Sequence, residues 1–173
     1  MSNRRFQPGQ VLLFLVTAAL VIPLDQLSQL WITNLWKAGV LPLGSGFFRI
    51  TYGQNTGAAF GMFQDARLVL SIISAIGILV ILFLELFLSW RYTFLRWKST
   101  QVALGLVLGG TFGNFIDRVF IGYVTDFIAV GGWPDFNIAD SAVVVGGLLL
   151  AFNLIRLPRV EHPDEQGSSS ESR

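Results

Sequence analysis

Residues 124–145 read VTDFIAVGGWPDFNIADSAVVV, and the stretch lies between two of the most hydrophobic parts of the chain. Asp126 and Asp140 in it lie within apolar segments, Asp126 directly before Phe127 and Ile128 and Asp140 directly after Ile138 and Ala139. Carboxylates are uncommon in such surroundings, because moving a charge out of water is costly. Their meaning depends on where a membrane would lie.

A bilayer core about 30 Å thick takes roughly 20 apolar residues per helix. Four runs meet that requirement, at about 11–35 with Asp25 interrupting it, 68–90, 102–121 and 136–157. The totals agree: 53% of the 173 residues are hydrophobic and 13% are charged, against roughly 25% charged in soluble domains. Arg4 and Arg5 before the first run resemble the start of a signal peptide, and NRRF hints at a twin-arginine signal. With no small-residue cleavage site and three more spans to follow, an uncleaved first span is expected. Basic residues orient the spans. Arg4, Arg5, Arg91, Arg96, Lys98, Arg156 and Arg159 fall on one side, and Lys37, Arg49, Arg67 and Arg118 on the other. With the richer side inside, both termini are cytoplasmic and the 36–67 and 122–136 loops face outward. Trp31, Trp36, Trp90, Trp97 and Trp133 fall near span ends, as interfacial anchors should.

The expected fold is therefore an all-α integral membrane protein of four transmembrane helices. FFRITY at 47–52 is β-prone and predicts a small extracytoplasmic β platform, with a short outer loop or helix beside it. Residues 1–157 form one four-span domain on this reading. The polar, Ser-rich 158–173 reads as a disordered cytoplasmic tail.

Composition excludes several chemistries. The chain has no cysteine, and its one histidine, His162, lies in the tail. Thiolate catalysis, a Ser-His-Asp triad and a His or Cys zinc site all lack their residues. Lys37 and Lys98 are the only lysines and neither sits beside a serine in an apolar run. A net charge of +1 gives no case for nucleic acid. Buried catalysis, if present, falls to carboxylates.

In the expected orientation Asp25, Asp117, Asp126 and Asp140 converge on the outer side of the membrane. Two facing carboxylates cannot both ionise, so they share a proton; one then activates water while the other hydrogen-bonds a carbonyl. Helix capping is the plainer reading of Asp126 or Asp140 taken singly. Glu85, near the other end of span two and close to Arg91, is expected to play a structural part or to reach the headgroups. Asn55 and Gly57 in QNTGAAFGMF predict a tight turn able to meet a peptide backbone. Gly105, Gly109 and Gly113 predict close helix packing. Asn114 and Asp117 share a helix face, and Arg118 is expected to pair with a carboxylate or a lipid phosphate. A proton-coupled carrier or small channel is the alternative class, but it predicts acids spread through the membrane. A non-enzymatic scaffold leaves the acids unexplained.

The blocks DQLSQ (25–29), NTGAAFG (55–61), GGTFGNFIDR (109–118), GYVTDFI (122–128) and FNIAD (136–140), in this order on four spans, resemble bacterial lipoprotein signal peptidase, the signal peptidase II family. The resemblance covers about residues 10 to 157. It implies a catalytic dyad at Asp126 and Asp140, supported by Asp25, Asn55, Gly57, Asn114, Asp117, Arg118 and Asn137. It implies an aspartic endopeptidase, without metal or cofactor, that cuts prolipoproteins before a diacylglyceryl-modified cysteine. The expected place is the outer face of the bacterial inner membrane. Membrane lipids are expected partners, the cyclic peptide globomycin an expected inhibitor, and the chain an expected monomer. Two departures stand out. Gln29 takes the place of a lysine that many members carry, and GGWPD is a short form of the segment between the two dyad aspartates.

Overall fold

A computed structural model describes residues 8–57 and 66–157. Arg4, Arg5, the end of the 55–61 block and the 158–173 tail, with the disorder expected of it, lie outside the described residues. Helix α1 (Pro8–Lys37) is followed by strands β1 (Leu43–Ser45) and β2 (Phe48–Asn55), then by α2 (Arg67–Phe83). Next come α3 (Lys98–Ile116), strand β3 (Val124–Val130) and α4 (Ile138–Ile155). Asp25 does not interrupt α1, which runs unbroken through Pro23 and past it.

Four helical stretches are long and apolar enough to cross a bilayer: Gly9–Lys37, Arg67–Leu88, Lys98–Ile121 and Ile138–Ile155. Their outward faces carry exposed Leu20, Leu24, Leu27, Ile72, Leu79 and Leu148. Such a surface suits lipid and not water. Among apolar helices in lipid, packing shape sets association more than hydrophobicity does. Glycines supply that shape here. A Cβ at Gly105 would fall 2.7 Å from Thr17 Cβ, and one at Gly109 2.7 Å from Val21 Cβ, so α1 lies directly on this stripe of α3. Gly146 admits α4 to the other side, where its Cβ would meet the Ala103 carbonyl at 2.7 Å. Helix α3 is thus the centre of the bundle, packed against α1, α2 and α4. A core of Phe14, Ala18, Ile78, Ile81, Leu104 and Leu108 lies around it.

The expected β platform is a three-stranded antiparallel sheet in the order β1-β2-β3. Strand β2 extends beyond FFRITY to Asn55, and Gly53 pairs with Asp126 and Asn55 with Val124. Between β3 and α4 the chain turns at Gly131, with positive φ. It returns at once, so that Phe136 bridges Ile128. Phe136 is therefore tied to the sheet, and α4 starts two residues later. The sheet sits where α1 and α3 end and α4 begins.

For Glu85 the structure takes the structural half of the expectation. It does not reach toward headgroups; it is 3% exposed. It lies in a π-helical turn, Leu84–Leu88, that ends the second span. Its Oε2 accepts from Gln101 Nε2 at 2.7 Å, and the same amide donates to the Leu95 carbonyl at 2.8 Å. An amide within reach on α3 holds the side chain inside the bundle.

Candidate active site

Asp126 stands on β3 and Asp140 in the first turn of α4, and three asparagine amides fix the pair. Asn137 is the N-cap of α4: its Oδ1 accepts from the Asp140 backbone N–H at 2.8 Å. The cap is therefore Asn137, not Asp140, and Asp126 lies on a strand, so neither acid is a helix cap. The Asn137 Nδ2 donates to Asp126 Oδ1 at 3.1 Å and to Asn114 Oδ1 at 3.2 Å. Asn114 Nδ2 in turn donates to Asp140 Oδ1 at 2.7 Å. From the other side, Asn55 Nδ2 donates to Asp126 Oδ2 at 2.9 Å, while its Oδ1 accepts from Gly57 N–H at 2.9 Å. This is the turn expected at Asn55 and Gly57, and it aims an amide at an acid. Asparagine suits every one of these places because one end donates and the other accepts.

Asp126 is 4% exposed. That burial, with the neighbouring Asp140 carboxylate pushing the same way, holds its carboxyl up to about 7, against the opposing pull of the Asn55 amide and the Arg118 charge. Near neutrality Asp126 is thus poised between its protonated and ionised forms. Arg118 makes no ion pair among the described residues. Its Nη1 and Nη2 donate to the carbonyls of Asn114, at 3.4 Å, and Gly57, at 3.3 Å. Its charge still lies within electrostatic reach of Asp140, Asp126 and Asp117. Among the described residues the guanidinium thus bonds to backbone oxygens that border the site, while its buried Nε has no hydrogen-bond partner.

Asp25 and Asp117 form a second pair, both 0% exposed. Gln29 Nε2 donates to Asp25 Oδ2 at 2.9 Å and to Asp117 Oδ2 at 2.7 Å. Gln26 Nε2 adds a bond to Asp117 Oδ1 at 2.9 Å. Asp25 Oδ1 accepts from the Ala139 backbone N–H at 2.9 Å, one residue before Asp140. The four acids thus separate into two pairs. One pair is exposed to a cavity. The other pins the start of α4 to α1 and α3.

That cavity, of about 880 Å³, is lined by Asp126, Asp140, Asn114 and Arg118 at its polar end and continues past Ser74 and Thr111 to Val143, Val144 and Val145. It joins a carboxylate pair to an apolar wall within the spans. A family model described as signal peptidase (SPase) II matches residues 17–156.

The chain belongs to the signal peptidase II family.

A lipoprotein signal peptidase of Dehalococcoides mccartyi is 46% identical over 143 residues, which is 82% of this chain and 89% of that protein. Its counterpart in Moorella thermoacetica is 39% identical over 153 residues, 88% of this chain and 98% of that one. The fold also matches a bacterial membrane enzyme solved by the in meso method at 1.9 Å resolution. The TM-score is 0.71 and the identity 30%, with 91% of this chain and 99% of that chain covered. A second such enzyme, at 2.3 Å resolution, gives a TM-score of 0.69 at 26% identity, covering 100% and 98%. A signal peptidase II sets aside the carrier and scaffold alternatives.

Within this signal peptidase II the sequence left two parts of the site unread. Gln26 and Gln29 bridge the buried acids, and for Gln29 the signal was present: a polar residue four positions after an intramembrane Asp shares its helix face. The Ala139 N–H that binds Asp25 carries no side-chain signal and becomes visible only in three dimensions.

Proposed function

We propose that Asp126 and Asp140 are the catalytic dyad of this membrane peptidase. Membership of the signal peptidase II family makes the chain an enzyme that removes signal peptides from prolipoproteins. The observation that carries the dyad is the single asparagine network holding both carboxylates at the head of one cavity. Within the dyad, the ionised carboxylate takes a proton from water, and the water oxygen forms a bond to the scissile carbonyl carbon. The protonated partner gives its proton to the carbonyl oxygen. On collapse the gem-diol returns a proton to the dyad, the leaving nitrogen takes the one removed from water, and the C–N bond breaks.

Asn55, Asn114 and Asn137 orient the dyad, and Gly57 turns the backbone that carries Asn55. Asp25, Asp117 and Arg118 hold the surrounding elements in place. The apolar wall at Val143–Val145 suits the signal helix. With acyl chains kept in lipid, the bond before a diacylglyceryl-modified cysteine is brought to the level of the dyad, and orientation is gained by tethering. Residues 1–157 act as one domain in the bacterial inner membrane, with both termini cytoplasmic and the sheet outside; the basic residues support that orientation. Globomycin would compete for the same cavity.

A gel-shift assay of a diacylglyceryl prolipoprotein tests the assignment. Wild type should cleave it and globomycin should block cleavage. Asp126→Asn and Asp140→Asn should each insert, fold and leave the substrate whole. Processing at the wild-type rate by either variant would remove the dyad from the mechanism.

A further inference from the structure

Asp135 takes no part in the network above, yet it lines the same cavity as the dyad. It lies on the short return between β3 and α4, on the sheet side of the cavity, with Gly53 and Gln54 of β2 lining the same wall. Its Oδ2 accepts from Thr51 Oγ1 at 2.7 Å, which fixes the side chain against β2. Its other oxygen has no donor among the described residues. The cation among the cavity residues is Arg118, whose hydrogen bonds go to Gly57 and Asn114. A negative charge therefore stands, held but unneutralised, on the sheet side of a cleft meant for a peptide.

We propose that Asp135 is a specificity-determining residue that favours a basic side chain, and disfavours an acidic one, just after the cleaved bond. The proposal rests on the peptidase reading. If the signal helix follows the apolar wall into the membrane, the chain beyond the scissile bond must leave past the sheet, where Asp135 stands. A charge facing a cleft sorts substrates by attraction and by repulsion, and the repulsive half needs no close contact.

Three diacylglyceryl prolipoproteins, identical except for Lys, Gln or Glu in the first few residues after the modified cysteine, test the idea with the full chain. At low salt kcat/KM should fall from Lys through Gln to Glu, with a ratio of roughly tenfold between the extremes. The ratio should shrink as salt is raised. Asp135→Asn should bring it near one while leaving the Gln substrate well cleaved. A wild-type ratio near one, or a ratio that Asp135→Asn leaves unchanged, overturns the proposal. So does an equal change in all three rates, which would mean that Asp135 acts only through Asp126. If Asp135→Asn fails to fold, the wild-type order and its salt dependence still decide. Failure of wild type to cleave any of the three would sink the peptidase reading itself, a result distinct from cleavage without preference.

Discussion

Asn137 donates its side-chain amide to Asp126 at 3.1 Å while the oxygen of that same amide caps the helix that carries Asp140. One residue therefore sets the position of both acids. The strand acid is fixed by the nitrogen, and the helix acid by the start of the helix. Asn137→Asp keeps a good capping acceptor but cannot donate, and it brings a third carboxylate against Asp126. It should retain most of the thermal stability in detergent and lose activity by at least about tenfold, the rate equivalent of one hydrogen bond to a charged group. Asn137→Ala should lose activity as well and about 1 kcal/mol of stability with the cap. An Asn137→Asp enzyme with normal kcat would show that the amide donor is dispensable.

The pH dependence follows from Asp126. Its carboxyl keeps a proton up to about 7, well above an ordinary aspartate. The proposed dyad requires one proton, so kcat/KM should decline as pH rises through about 7 and that proton is lost. The Asn55 amide favours the charged form. Its removal in Asn55→Ala should move the alkaline limb to higher pH while lowering the maximal rate. A limb that moves to lower pH in that variant would contradict the assigned direction.

The glycines of α3 give a prediction about position rather than chemistry. A Cβ at Gly113 would lie 2.7 Å from Asp25 Oδ2 and 3.4 Å from Ala139 Cβ. Gly113→Ala should therefore displace the carboxylate that holds the Ala139 N–H, and shift Asp140 with it. Gly147, with nothing within 4 Å of its Cβ position, is the matched control. Gly147→Ala should be neutral, whereas Gly113→Ala should insert normally yet show a kcat reduced by an order of magnitude or more, since small misplacements at a reacting centre cost rate. Equal kcat in the two variants would mean that the Asp25 contact does not transmit to the site.

These residues also mark how far the sequence could be read. The all-α four-helix fold and its small sheet were legible because bilayer thickness dictates the length of an apolar run, and because FFRITY has the β-branched and aromatic character of a strand. The place of Asp126 opposite Gly53 was not legible, since strand register depends on a partner some 70 residues away. Glu85 shows a second limit. Hydropathy places an acid along a helix axis but says little of its azimuth, and a π-helical turn changes that azimuth. Arg118 shows a third. Its neighbours in sequence suggest an acid partner, yet the carbonyl of Gly57 reaches it from a different segment. The motif blocks brought Asn55, Asn114 and Asn137 into view through resemblance; the reason for three asparagines, two-ended bridging between acids and backbone, appears only in the coordinates.

Gln29 carries the last prediction. Its amide nitrogen binds Asp25 Oδ2 and Asp117 Oδ2 together, and both acids are fully buried. Gln29→Leu leaves each carboxylate one donor short inside the bundle, and an unmet buried polar group costs about 1–3 kcal/mol. The variant should unfold earlier in detergent. It should also slow cleavage, because Asp25 holds the first turn of α4 through Ala139. Gln29→Glu should be worse, since it replaces the donor with a third acid. Gln29→Lys should behave in the opposite way. Its ammonium has three donors and no acceptor, so it meets both carboxylates, and it removes the amide Oε1 that stands without a partner. Thermal unfolding and kcat measured across the three variants should rank Lys at or above wild type, then Leu, then Glu. If Leu matches wild type on both measures, the bridge between Asp25 and Asp117 has no part in holding α4.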